Sequence, residues 1–165
     1  MELRDISMSD LPFYQGISTD PVMWTELGGP RPREGLEEKL QGIVDDVKAG
    51  RIWYFVITPD ESDRAPAGTV CIWDHTWNGE TINEIGWMVI PELQGRGLAT
   101  EAVGLTLDRA RSEGRWGVIH AFPGVTNGPS NAICRKLGFS MSEEVDYTGF
   151  AGVLRCNHWV IDLSA

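Results

Sequence analysis

The stretch Gln94-Gly95-Arg96-Gly97-Leu98-Ala99 restricts the fold more than any other part of the chain. It follows an apolar run, residues 81–90, that reads as a strand ending at Pro91. It opens a run in which Leu98, Ala102 and Leu105 recur at helical spacing. Such a turn presents free backbone N–H groups at a helix N-terminus, where the helix dipole also favours negative charge. Gly95 and Gly97 lack a Cβ, so a bulky anion can reach the backbone and the chain can take positive φ. The turn therefore reads as a pyrophosphate cradle. Thr100 stands where the dinucleotide fingerprint has its third glycine, and the Gly-Lys-Ser/Thr of a P-loop is absent.

The elements on either side set the fold class. Residues 3–6 form a short opening strand, and Ser9 or Asp10 caps a helix that begins near Leu11 and Pro12. Residues 19–32, rich in Gly and Pro, form a long loop that holds Trp24 and Glu26. Leu36, Leu40, Ile43, Val44 and Val47 then share one helical face; Glu34, Glu37 and Glu38 lie near the start, with Lys48 and Gly50 at the end. Strands are expected at 52–57, 67–73 and 81–90, joined by a hairpin-type connection at 59–66 and a turn at 74–80. That is an antiparallel meander. After the helix from Leu98, which Gly114 stops, residues 118–122 form a strand whose partner should be parallel. Pro129 begins a short helix with Ile133 and Leu137 inward, Arg135 and Lys136 in its last turn and Gly138 at its end. Residues 139–145 and 153–163 close the chain as a hairpin around a 146–152 loop. One α+β domain over residues 1–165 is expected.

Composition narrows the partners. A net charge of −10 argues against nucleic acid, whose binding needs clustered Lys and Arg, and suits a cationic ligand such as an amine. No apolar run approaches the roughly 18 residues of a membrane span, and residues 1–5 lack a signal-peptide core, so no membrane partner and a cytoplasmic location are expected. Cys71, Cys134 and Cys156 form no C-x-x-C pair, and His75, His120 and His158 form no H-x-x-x-H arrangement. No structural metal and no disulfide framework are expected. Cys71 and Cys156 read as core residues of strands.

The run Glu84-Ile85-Gly86-Trp87-Met88-Val89-Ile90-Pro91-Glu92-Leu93-Gln94-Gly95-Arg96-Gly97-Leu98-Ala99-Thr100 resembles the acetyl-CoA motif of the GNAT N-acetyltransferases, with the pattern Q/R-x-x-G-x-G/A. Further on, Asn127-Gly128-Pro129-Ser130 leads to Arg135-Lys136-Leu137-Gly138-Phe139, which resembles the second motif of the RimJ/RimL-like branch. The resemblance implies the GNAT fold, an α+β mixed, twisted sheet of about seven strands with about four helices, its fourth and fifth strands splayed around Met88 and Ile119. It implies acetyl-CoA as co-substrate. Met88, Val89 and Ile90 would meet pantetheine through backbone groups that splaying leaves unpaired. Gln94, Gly95, Arg96, Gly97, Leu98, Ala99 and Thr100 would hold the pyrophosphate, with Asn127 and Ser130 on the far side of the cofactor. The acceptor amine, a protein N-terminus or a small cationic amine, would lie between the 19–32 loop, with Trp24 and Glu26, and the 146–152 loop, with Tyr147.

Acetyl transfer to an amine needs a base for the ammonium proton, a placed carbonyl and stabilised developing charge. Glu84 is the candidate base: alternation puts it on one face with Gly86 and Met88, and Gly86 leaves open space beside it. A backbone N–H near Met88 or Val89 could polarise the carbonyl. His75, at a strand end, is a second candidate base, and His120 reads as structural. Cys134 stands where many relatives carry a thiolate-protonating tyrosine, which leaves Ser130, Tyr147 or water for that role. Cys134 reads as a packed helix cysteine. Two readings of another class stay open: a non-catalytic acyl-CoA binding or sensing module, and a nicotinamide-dinucleotide protein. The sequence is silent on oligomeric state, and a homodimer is an open alternative.

Overall fold

Runs rich in β-branched and aromatic residues build a seven-stranded mixed sheet. The computed structural model describes residues 1–59, 65–149 and 151–164. The strands are β1 (Glu2–Asp5), β2 (Trp53–Thr58), β3 (Gly68–Trp77), β4 (Glu80–Val89), β5 (Val118–Ala121), β6 (Ser140–Gly149) and β7 (Gly152–Asp162), in the sheet order β1-β2-β3-β4-β5-β7-β6. The helices are α1 (Leu11–Thr19), α2 (Leu36–Lys48), α3 (Leu98–Glu113) and α4 (Gly128–Lys136). Part of the expected 59–66 connection lies outside the described residues.

The β1–β4 meander is antiparallel, and β4 meets β5 in parallel at Asn83↔Ile119 and Glu84↔His120. Beyond that pair β4 runs on through Ile85 to Val89 with β3 on one side only. Here the fourth and fifth strands part, as the splayed arrangement requires. The main core buries Phe55, Ile57, Val70, Ile72, Ile85 and Ile119 with Val103 and Leu107 of α3. Ile6, Tyr14, Leu36, Leu40, Val44 and Val56 form a second cluster under α1 and α2. The 3.6-residue stripe of α2 thus faces the sheet, burying Leu36, Leu40 and Val44.

Two boundaries differ from expectation, and both matter. The expected 74–80 turn is mostly strand: β3 continues to Trp77, and only Asn78-Gly79 turns, with both φ positive (49° and 82°). That is the geometry of a two-residue hairpin, and Asn-Gly between alternating aromatic positions is its sequence signal. Likewise the expected 146–152 loop is mostly strand, because β6 pairs with β7 through Tyr147↔Leu154 and Thr148↔Val153 to Gly149↔Gly152. Polar residues in these stretches face solvent while the rings between them pack inward, so local polarity misreads them as turns. His75 and Tyr147 consequently sit on strands and point to one face.

Candidate active site

Strand β4 carries Glu84, 6% exposed, on the face it shares with Gly86 and Met88. The Tyr147 hydroxyl on β6 donates to Glu84 Oε1 at 3.1 Å and Oε2 at 3.0 Å. His75 Nδ1 on β3 lies 3.6 Å from Oε2. Burial pushes the Glu84 carboxyl up to about 7, with the Tyr147 O–H acting in the opposite direction. Burial, with the neighbouring carboxylate, also raises the Tyr147 phenol, which stays protonated and keeps its role as donor. His75 is pushed down by burial and so stands beside Glu84 as a neutral ring.

Rings enclose this pair. His75 stacks on Tyr147 at 5.4 Å between centroids, Phe122 lies 4.9 Å from Tyr147, and Trp77 lies 4.8 Å from Phe122. His158 stacks on Phe122 at 4.6 Å, and its Nε2 lies 2.8 Å from His120 Nδ1. Burial lowers both histidines, so one neutral ring donates and the other accepts. The space expected beside Gly86 is not open: the Trp73 indole fills it, 3.0 Å from where a Cβ would stand. Gly86 lets that ring approach β4 closely, and Trp73 is the β3 partner of Glu84.

At the other end of β4 the Gly-rich turn is exposed on both glycines and on Arg96. Gly95 and Gly97 take φ of 74° and 80°, with nothing within 4 Å of a Cβ at either. The first bond of α3 is donated by Glu101 N–H to Gly97 O, so the N–H groups of Leu98, Ala99 and Thr100 head the helix without helical partners. The Gln94 amide donates to Val89 O at 2.9 Å and ties the turn to the end of β4. Residues 88–90 and 94–100 therefore follow one edge: the end of β4 beyond its pairing with β5, where Ile90 N–H is already bonded to Ala67 O on the β3 side, then the helix N-terminus. A long anionic ligand with a hydrogen-bonding arm fits that edge.

The remaining candidates are placed around this frame. Asn127 caps α4, its Oδ1 accepting from Ser130 N–H at 3.1 Å. The Glu26 carboxylate accepts from Thr126 Oγ1 at 2.7 Å, which ties the 19–32 loop to the segment before α4. The Trp24 indole is buried and donates to Ile17 O at 2.8 Å, so it anchors that loop to α1. Cys134 is fully buried, and burial pushes its thiol up to about 12, which keeps it protonated. Among the described residues no His, Cys, Asp and Glu group could hold a metal ion, and no helix is long and apolar enough to cross a membrane.

Sequence reasoning missed Asn131. Its Nδ2 donates to Gly124 O and Asn127 O at 2.9 and 2.8 Å, while Oδ1 accepts from Asn157 Nδ2 and Trp159 Nε1, both at 2.8 Å. All four of its hydrogen-bonding capacities are used, joining α4, β7 and the loop between β5 and α4.

The family described as the acetyltransferase (GNAT) domain matches residues 1–140. A comparison with curated proteins found no match. Among solved structures, the ribosomal-protein-S5-alanine acetyltransferase from Vibrio fischeri is similar at a TM-score of 0.79 and 21% identity, over 97% of this chain and 91% of that one. The spermidine N-acetyltransferase from Vibrio cholerae, in complex with CoA and spermine, matches at 0.81 and 18%, over 99% and 95%. RimL, a ribosomal L7/L12 alpha-N-protein acetyltransferase in complex with coenzyme A, matches at 0.79 and 16%, over 97% and 92%. Likeness at these identities is a likeness of fold.

Proposed function

Because this chain belongs to the GNAT acetyltransferase family, we propose that it transfers the acetyl group of acetyl-CoA to a primary amine, with Glu84 as the base. The observation that carries this reading is a buried carboxylate on β4, pushed up to about 7, on the strand whose free edge continues into the Gly-rich turn. A base of that strength is half ionised near neutral pH and is matched to taking a proton from an ammonium.

The residues present fit acetyl-CoA. Met88, Val89 and Ile90 lie where the chain has run past its β5 partner; Val89 O and Ile90 N–H are taken by the Gln94 amide and Ala67 O, so the pantetheine arm would meet the backbone groups these bonds leave, and Gly95 to Thr100 offer N–H groups and a helix dipole to the pyrophosphate. Arg96, exposed on the turn, adds positive charge there. Asn127 and Ser130, at the head of α4, close the far side of the cofactor site. When bound, acetyl-CoA supplies an acyl thioester already activated toward amines. Glu84 takes the amine proton, directly or through water, and the ring-lined wall restricts access of bulk water to it. Ser130 is the chain's candidate for protonating the departing thiolate.

The amine enters on the face of Glu84, bounded by Tyr147 on β6 and by the loop that carries Glu26. The relatives named above act on ribosomal-protein N-termini or on spermidine, and both classes are acceptors to test here. The buried Glu84 carboxylate and a net charge of −10 suit either a peptide N-terminus or a small cationic amine. A cytoplasmic enzyme acting on such amines, without nucleic acid or membrane partners, is the setting we infer. The test is release of CoA thiol from acetyl-CoA against panels of peptides with free N-termini, polyamines and monoamines. Turnover with one class identifies the acceptor. Tight CoA binding without thiol release on any panel would instead identify an acyl-CoA sensor.

A further inference from the structure

Building on the reading of Glu84 as base, we propose that Tyr147 is a positioning residue for acetyl transfer: its single hydroxyl proton bridges both Glu84 oxygens, fixes the carboxylate plane and favours the ionised form that takes the amine's proton.

The geometry has three parts. The O–H lies 3.1 and 3.0 Å from the two oxygens, nearly equidistant, so one proton is shared and each oxygen keeps lone pairs free for an entering N–H. The phenol ring is held between neighbours, with His75 at 5.4 Å and Trp77 at 6.0 Å in stacked arrangements and Phe122 at 4.9 Å, so it cannot swing without moving them. The strand that bears it is held as well. Tyr147 pairs with Leu154 close to the end of the β6–β7 hairpin, whose Ala151 Cβ lies 2.7 Å from where a Cβ on Gly28 would stand. The hairpin end is therefore seated against the 19–32 loop through the gap that this glycine leaves.

The groups around Glu84 leave the task to Tyr147. From β3 come His75 and Cys71, from β5 His120, and from β7 His158 and Cys156; the histidines are lowered by burial and the cysteines raised by it, so all are neutral near pH 7. Burial drives Glu84 toward its neutral, proton-bearing form, and the phenol O–H opposes it. A hydrogen bond to a charged group is among the strong ones, and in a site with little water its loss is felt fully.

The sign of the effect follows. Without the O–H, the carboxylate loses stabilisation and the Glu84 midpoint rises, so less base is present at neutral pH. The experiment is Tyr147→Phe, with Glu84 titrated directly by carboxyl 13C NMR of glutamate-labelled protein, its signal assigned with Glu84→Gln. The expected result is a midpoint about one pH unit or more higher. The rising limb of kcat/KM should move with it, and CoA affinity should not change. As a second arm, 3-fluorotyrosine at position 147 is nearly the same size and a stronger donor, and needs no repacking. It should lower the midpoint. A midpoint that stays at the parent value in both variants, or one that falls in the phenylalanine variant, overturns the proposal. The NMR arm needs no turnover, so a parent protein that transfers no acetyl group would refute the proposed reaction and leave this test intact.

Discussion

The indole of Trp73 lies across the α-carbon of Gly86, its Cη2 and Cζ3 atoms 3.0 and 3.2 Å from where a Cβ would stand. The pair builds the floor of the candidate site, because Trp73 is the β3 partner of Glu84 and Gly86 is two residues further along β4. Gly86→Val should force the ring off the strand and cost about 1–3 kcal/mol, read by urea denaturation. The displaced ring should also enter the space beside Glu84. Amine KM should therefore rise more than acetyl-CoA KM.

Gly97 takes φ of 80° at the head of α3, with nothing within 4 Å of a Cβ. Gly97→Val should thus cost backbone strain of about 1–2 kcal/mol while meeting no neighbour. Its larger effect should be on ligand binding, since the branched side chain would stand over the N–H groups proposed to hold the pyrophosphate. Isothermal titration should show CoA affinity reduced by about tenfold or more, of the order expected for losing one charge-assisted contact. The folded structure should persist by circular dichroism.

Asn131 joins α4, β7 and the loop before α4 through four hydrogen bonds. Asn131→Ala leaves the buried Trp159 N–H without its partner, while the Gly124 carbonyl keeps the Asn127 N–H. The expected cost is about 1–3 kcal/mol by denaturant unfolding, because the unsatisfied buried Trp159 N–H bears its full desolvation penalty.

Much of this architecture is legible in the residues. The α2 stripe of Leu36, Leu40 and Val44 is buried as its spacing requires, and Gly95 and Gly97 adopt the positive φ that the turn needs. His75 and Tyr147 were harder to place. They lie in Asp74-His75-Thr76 and Asp146-Tyr147-Thr148, whose polar residues resemble turns, and what makes them strands is ring packing between segments far apart in sequence. Asn78-Gly79 was the available signal for the longer β3. Trp73 filling the gap at Gly86, and the convergence on Asn131, depend on register between strands, which periodicity alone does not fix.

Glu84 also makes stability depend on pH. Its folded-state value, about 7, lies above the 4.5 of an ordinary glutamate, so between these values the folded protein holds a proton that the unfolded chain has released. The associated stability is fully present below about 4.5 and is lost as pH rises through about 7. Glu84→Gln cannot titrate. Its stability relative to the parent should therefore rise from pH 5 to pH 8, by at most about 3 kcal/mol, in paired urea melts.

The most direct test of Glu84 as the base is the pH dependence of kcat/KM for acetyl transfer in the parent and in Glu84→Gln. The parent should show a rising limb with its midpoint near 7, the value to which burial pushes this carboxyl. The glutamine variant should lose that limb and fall by about 10²–10⁴-fold at neutral pH, with CoA affinity unchanged. A variant that keeps the parent rate and the same limb would contradict the assignment.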